Sequence, residues 1–200
     1  MKIINTITLK TRRLVLRRFA LSDAPAVYRN WGSDPAVTRF LRWNPHENIA
    51  ESAAIVRSWC GAYDEEEGFL QWAVTQRATG ELLGSICAMP TEGGEPEVGY
   101  ALGRAFWGCG YASEALIAVC SDLFTRGGAT RILGQYATEN LASGAVLRKA
   151  HFLYEHDAVV NSFDHKRQFI CHCCSLIPEN AEIFPSHHDA ADFSDRKDRL

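Results

Sequence analysis

A chain of 200 residues is long enough for one α/β domain and leaves little for a second. Its 46% hydrophobic and 22% charged residues are ordinary for a globular protein, and a net charge of -3 excludes a general basic field for sequence-independent nucleic-acid binding. No apolar run approaches the roughly 20 residues that span a bilayer, the N-terminal stretch alternates rather than forming a signal block, and the seven cysteines sit mostly in apolar runs as reduced thiols do; a cytoplasmic protein with no membrane attachment is expected.

Residues Leu14–Phe19, preceded by Thr11-Arg12-Arg13, alternate as a first strand with Leu14 and Leu16 on one face. Ser22 is a favourable N-cap for a helix through Trp31, with Ala24, Val27, Tyr28 and Trp31 on its apolar side; Gly32-Ser33-Asp34-Pro35 breaks it. The segment Val37–Asn48 carries Phe40, Leu41, Trp43, Pro45 and His46, which either pack over the core or line a substrate groove. A second helix is expected from Ile49 to Tyr63. The acidic run Asp64–Gly68 that follows is either a solvated loop or an attractor for a cationic amine. Phe69–Gln76, Leu82–Met89 and Glu97–Gly103 read as a three-strand antiparallel meander.

The last strand of the meander feeds the turn Trp107-Gly108-Cys109-Gly110-Tyr111-Ala112 and then a long helix with Ala115, Leu116, Val119, Cys120, Leu123 and Phe124 at helical spacing. Gly108 and Gly110 permit unusual backbone angles and close approach of a ligand. The first N–H groups of the helix lack internal partners and lie at the positive end of its dipole. The joint is therefore either a bare tight turn or a phosphate cradle. Gly127-Gly128 stops the helix, and Ile132–Ala137 is a strand. Asn140–Lys149 is a helix capped by Asn140, with Leu141, Ala145 and Val146 inward. Phe152–Val160 and Arg167–Ile177 pair around Asn161–Lys166. One domain over residues 1–177 is expected, followed by a polar, flexible tail from Pro178 to Leu200.

Four landmarks in this order of elements resemble the GNAT acetyltransferase superfamily, and within it the RimJ/RimL branch of protein N-acetyltransferases. Thr11-Arg12-Arg13-Leu14-Val15-Leu16-Arg17 looks like that branch's T-x-R-L-x-L-R opening, and Glu97-Val98-Gly99-Tyr100 like its E-I-G-Y strand. Trp107 to Ala115 looks like its W-G-x-G-Y-A-x-E-A turn, and Glu139-Asn140-Leu141-Ala142-Ser143 like its E-N-x-x-S helix start. The resemblance implies an α/β (α+β) fold whose mixed, largely antiparallel sheet of about seven strands is flanked by about four helices. It implies acetyl-coenzyme A as acetyl donor, lying along the strand that ends near Leu102, Gly103 and Arg104. The pyrophosphate would sit beside Trp107 on the turn formed by Gly108, Cys109, Gly110, Tyr111, Ala112 and Ser113. Asn140 would contact the pantetheine arm, Ser143 would give a proton to the departing thiolate, and no metal is expected. Two positions depart from the pattern. Leu147 stands where many members have a general-acid tyrosine, which leaves Ser143, a water or no acid at all, and His151 replaces a glycine, where a positive φ would be costly.

Acetyl transfer to an amine needs a neutral nucleophile, an oriented thioester and donors for a developing oxyanion. Glu97, just ahead of the turn, is the first candidate base, unless it is an ordinary surface glutamate; Glu155 is the second. The amides of Ala101 to Gly103 are the expected oxyanion donors. Direct transfer is favoured over covalent catalysis by Cys109, which occupies a varying position of the family turn. Competing readings fall short in the residues: Gly108-x-Gly110 lacks a third glycine for a dinucleotide site, and Cys171-His172-Cys173-Cys174 has no second cysteine pair to complete a zinc set. A catalytically inactive acyl-coenzyme A sensor of the same fold stays open through Leu147 and His151. The acceptor, a protein N-terminus or a small-molecule amine, would meet Trp31–His46, Asp64–Gly68 and Asn161–Lys166, in a monomer or homodimer.

Overall fold

The computed structural model describes residues 4–65 and 68–181. Short-range alternation of apolar side chains produces eight strands among them: β1 (Leu9–Lys10), β2 (Leu14–Arg17), β3 (Leu70–Gln76), β4 (Leu82–Pro90), β5 (Pro96–Leu102), β6 (Ile132–Ala137), β7 (Leu153–Asn161) and β8 (Gln168–Leu176). They form one sheet in the order β1-β2-β3-β4-β5-β6-β8-β7. Every pairing is antiparallel except β5 with β6, so the mixed, largely antiparallel sheet implied by the resemblance is present. Two features were not read from the sequence. The two-residue β1 adds an edge, and β8 inserts between β6 and β7.

The helices are α1 (Ala24–Val27), α2 (Pro35–Thr38), α3 (Ile49–Glu65), α4 (Tyr111–Thr125), α5 (Leu141–Lys149) and α6 (Pro178–Ala181). Ser22 is not the cap of the first helical region. A 3-10 turn begins at Leu21, and the Asp23 carboxylate closes it by accepting from the Ala20 amide (2.8 Å) while Arg17 forks onto it at 2.7 and 2.9 Å. Asp23 wins because its buried carboxylate also gains a cation partner in Arg17, which Ser22 cannot. The region ends in a π turn, Tyr28–Gly32.

Two apolar layers sandwich the sheet. On one face Leu14, Leu16, Trp72 and Val98 pack with Leu116, Val119 and Leu123 of α4 and with Leu147 of α5. On the other, Ala73 and Ala101 meet Val27, Trp31 and Val56 from the α1–α3 region. Leu141 is 72% exposed, contrary to its expected inward place, because α5 turns Gly144 and Leu147 to the sheet instead. The first residues of the expected tail are not irregular chain. Pro178–Ala181 forms a helical turn whose Ala181 joins the core, and residues 182–200 lie outside the described residues. Among the described residues no helix is long and apolar enough to cross a membrane.

One polar joint locks α4 to the sheet. Glu114, in the first turn of α4, accepts from Thr11 Oγ1 (2.6 Å), the Arg13 amide (2.8 Å) and Arg13 Nε (2.7 Å). Burial alone would raise its carboxyl, but these donors outweigh burial and hold it below its ordinary value. Its stabilising effect is therefore full above the unfolded carboxyl range, about 4.3, and is lost as pH falls through the lower folded value. Glu114→Gln is expected to lower unfolding free energy by about 2 kcal/mol at neutral pH. In denaturant titrations against pH, the gap to the wild type should close below about pH 4.

Candidate active site

The turn after β5 is built from backbone bonds and two left-handed glycines. Gly103 N–H donates to Leu83 O (2.9 Å), and the Trp107 indole donates back to the Leu102 carbonyl (2.8 Å). Between them Arg104 pairs with Asp34 at 3.1 Å. Gly108 and Gly110 have φ of 74° and 79°, angles that a side chain would strain, and Gly110 is the N-cap of α4. The helix's first bond runs from Glu114 N–H to Gly110 O (3.1 Å). The amides of Tyr111, Ala112 and Ser113 therefore precede the helical ladder, at its positive end. Space over the turn is open: a Cβ on Gly108 would meet nothing within 4 Å. Cys109 lies exposed at the tip, its carbonyl bonded by Arg13 Nη1 (2.9 Å).

Beside this turn the sheet forks. The parallel register of β5 and β6 covers only Glu97↔Leu133 and Val98↔Gly134, after which Gly99–Leu102 and Gln135–Ala137 separate. At the root, Gln135 Nε2 donates to Glu97 Oε1 (2.9 Å). Alternation sends Glu97 to the α1–α3 face and Tyr100 to the α4–α5 face. There Tyr100 Oη lies 2.9 Å from Ser143 Oγ and 3.1 Å from the Ser143 carbonyl. Burial pushes the Tyr100 phenol well above its ordinary range, so it stays neutral and holds the serine as a hydrogen-bond partner. Asn140 caps α5 by accepting from the Ser143 amide (3.2 Å). The fork thus has Glu97 at its root on one face and the Tyr100–Ser143 pair, beside the Asn140 cap, on the other.

The expected oxyanion donors and the second candidate base are corrected. Gly103 N–H is committed to Leu83 and is not a free oxyanion donor. Bonded pairs alternate along an antiparallel ladder, so Ala101, in register with Ser85, also faces β4, and the amides of Tyr100 and Leu102 face the fork. Glu155 lies away from the fork, at the Arg131 end of β6. Hydrogen bonds from Ser175 and then Arg131 hold its carboxyl below the ordinary range, which makes it a poor base. Leu147 is buried against Phe152, and His151 takes φ 61° in a left-handed helix end where Phe152 N–H reaches Leu147 O (3.1 Å) and His151 N–H reaches Arg148 O (3.0 Å). His172 pairs with Asp157 (2.5 Å) on the face opposite Cys171 and Cys173, and among the described residues no group of His, Cys, Asp and Glu gathers as metal ligands. Trp31 and His46 are core residues, the latter 2.7 Å from Ser52. In the acidic run, Asp64 faces Arg18 at 3.5 Å, and Glu66 and Glu67 lie outside the described residues.

Sequence reasoning missed three participants. Tyr100 stood in a quoted motif, and strand alternation already placed it opposite Glu97. Gln135 carried no signal. Neither did Arg167, which ties the loop after α2 to the β7–β8 turn by donating to the carbonyls of Leu41 (3.1 Å) and Trp43 (2.9 Å). The same two loops are joined by Phe163 N–H to Arg42 O (2.7 Å), Arg42 Nε to Asn161 O (2.9 Å) and Asn44 to Asp164 (2.8 Å). They make a continuous rim on the face that Glu97 occupies.

The Acetyltransferase (GNAT) domain family matches residues 13–153. The chain is 32% identical over 149 residues to an uncharacterized N-acetyltransferase, YoaA, of Bacillus subtilis, covering 74% of this chain and 83% of that protein. A GNAT-family acetyltransferase structure from Bacillus anthracis superposes with a TM-score of 0.74 at 22% identity, over 86% of this chain and 99% of that one. The ribosomal L7/L12 alpha-N-protein acetyltransferase RimL, solved with coenzyme A, superposes with a TM-score of 0.71 at 21% identity, over 86% and 98% of the two chains.

Arg167 supplies the rim's bonds to Leu41 and Trp43, so Arg167→Ala should loosen both loops while leaving α4 in place. Amide exchange at residues 39–44 and 161–167 is expected to accelerate at least about tenfold, with exchange in α4 unchanged. Unchanged protection at Phe163 would show that the loops hold together without Arg167.

Proposed function

Because the chain belongs to the GNAT acetyltransferase family, we propose that it moves an acetyl group directly from acetyl-coenzyme A to a primary amine, a protein N-terminus or a small molecule. One observation carries this reading. The β5–β6 fork opens the sheet, with the glycine turn and Ser143 on one face and Glu97 on the other. The four sequence landmarks support placing the chain in the RimJ/RimL-type branch.

In this reading the amides of Gly108 to Ser113 receive the pyrophosphate, where unpartnered N–H groups and the helix dipole favour an anion. Asn140 flanks the pantetheine arm with its side-chain N–H₂, since capping uses only its oxygen. The fork-facing amides of Tyr100 and Leu102 polarise the thioester carbonyl and bind the oxyanion as it forms. Glu97, oriented by Gln135, takes a proton from the amine, directly or through a water, so that nitrogen can attack. The C–N bond forms and the C–S bond breaks; the thiolate takes a proton from Ser143, which Tyr100 holds at the opening, and the proton that the new amide nitrogen sheds returns through water to Ser143. The acceptor enters from the α1–α3 face, past the rim that Arg167 ties together.

Glu97→Gln keeps the shape of the root and removes the base. It should lower kcat by about 10²–10⁴-fold in a free-thiol assay with a panel of primary amines. Calorimetry should show acetyl-coenzyme A affinity unchanged. A variant with wild-type kcat would take the base role away from Glu97.

A further inference from the structure

On the side of the glycine turn away from the fork, a cavity of about 440 Å³ opens at the ends of β2 and β3, lined by Arg12, Arg13, Gln76, Arg77, Ala78 and Tyr111. Three guanidiniums line it and no carboxylate does. Like charges gathered around one space raise the energy of the folded chain unless an anion offsets them. The three arginines are not equivalent. Arg13 is spent: it binds Glu114 and the Cys109 carbonyl, and it lies 4.6 Å over the Tyr111 ring. Arg77 makes one bond, from Nη1 to the Thr11 carbonyl (3.2 Å), and among the described residues Arg12 has no hydrogen bond or ion pair. Both are exposed.

The cavity is continuous with the turn. Arg13 Nη2 lies 3.4 Å from where a Gly110 Cβ would be, and Tyr111, a lining residue, is the first residue of α4. A pyrophosphate on the α4 amides would therefore have Arg12 and Arg77 on the far side of the wall that Arg13 and Tyr111 share with the turn. We infer that this cavity is a phosphomonoester site, in which Arg12 and Arg77 bind the 3′-phosphate on the ribose of coenzyme A. The inference rests on the reading of the glycine turn as the pyrophosphate cradle. A phosphomonoester carries close to two negative charges at neutral pH, and arginine presents paired N–H donors that match its oxygens. Tyr111, under the Arg13 guanidinium, forms the adjoining wall.

The test is calorimetric binding of coenzyme A and of 3′-dephospho-coenzyme A to the whole chain. The wild type should bind coenzyme A roughly tenfold more tightly, and the advantage should shrink as salt is raised. Arg12→Gln/Arg77→Gln should reduce the advantage to less than about twofold while leaving the affinity for the dephospho form unchanged. Arg12→Gln alone, which spares the Arg77 bond to Thr11, should give an intermediate loss. Equal binding of the two ligands by the wild type, or an undiminished advantage in the double variant, would overturn the assignment. Binding of neither ligand would overturn the pyrophosphate cradle, and this site with it.

Discussion

The half-buried carboxylate of Glu114 is the joint on which the candidate site depends. Apolar packing holds α4 against the sheet but is nondirectional, so by itself it leaves the helix free to slide or rotate on its bed of leucines and valines. Three hydrogen bonds from Thr11 and Arg13 remove that freedom, because each has a required distance and angle. Arg13, once positioned by Glu114, reaches the Cys109 carbonyl and covers Tyr111. The glycine turn is therefore shaped from outside as well as by its own left-handed residues. Two stretches that look like family motifs, about a hundred residues apart, are in the fold the two halves of one ion pair.

The second constraint is the fork. A parallel pair that runs for two residues and then opens leaves backbone groups of β5 and β6 without ladder partners, a state that buried peptide groups rarely tolerate. In the proposed function a thioester and its pantetheine arm would use those groups. The two faces of the opening carry different chemistry. Hydroxyls and helix amides lie toward α4 and α5, and a carboxylate with its amide partner lies toward α1–α3. Strand alternation produces this division, since Glu97 and Tyr100 are separated by an odd step along β5. A donor and an acceptor approaching from opposite faces would meet at the sheet itself.

The acceptor face is bordered by chain that has little regular structure. The loop after α2 and the β7–β8 turn hold each other through backbone carbonyls, two arginines and the Asn44–Asp164 pair rather than through a shared apolar core. Such a rim can change its sequence and outline without disturbing the sheet, which is where specificity for one amine over another is most cheaply varied.

Much of this was legible in the residues alone. Period-two and helical spacing marked nearly every strand and the long helices, and the glycines marked the left-handed turn. Asn140 announced its cap, and alternation along Glu97–Leu102 separated the candidate base from Tyr100. These features depend on neighbours a few positions apart, whose dihedral and hydrophobic preferences are local. What stayed hidden depends on partners distant in the chain. Asp23 displaced Ser22 as the turn-closing residue because Arg17 comes to it, and Leu147 faces the core in place of Leu141 because the left-handed end at His151 brings Phe152 onto it. The insertion of β8 between β6 and β7, the carboxylate of Glu114 between Thr11 and Arg13, and the rim gathered by Arg167 are also choices among distant partners. By itself the sequence determined the elements, their faces and the turn. Only the tertiary structure decided which polar groups meet, because such pairing is settled by burial and geometry that no local pattern encodes.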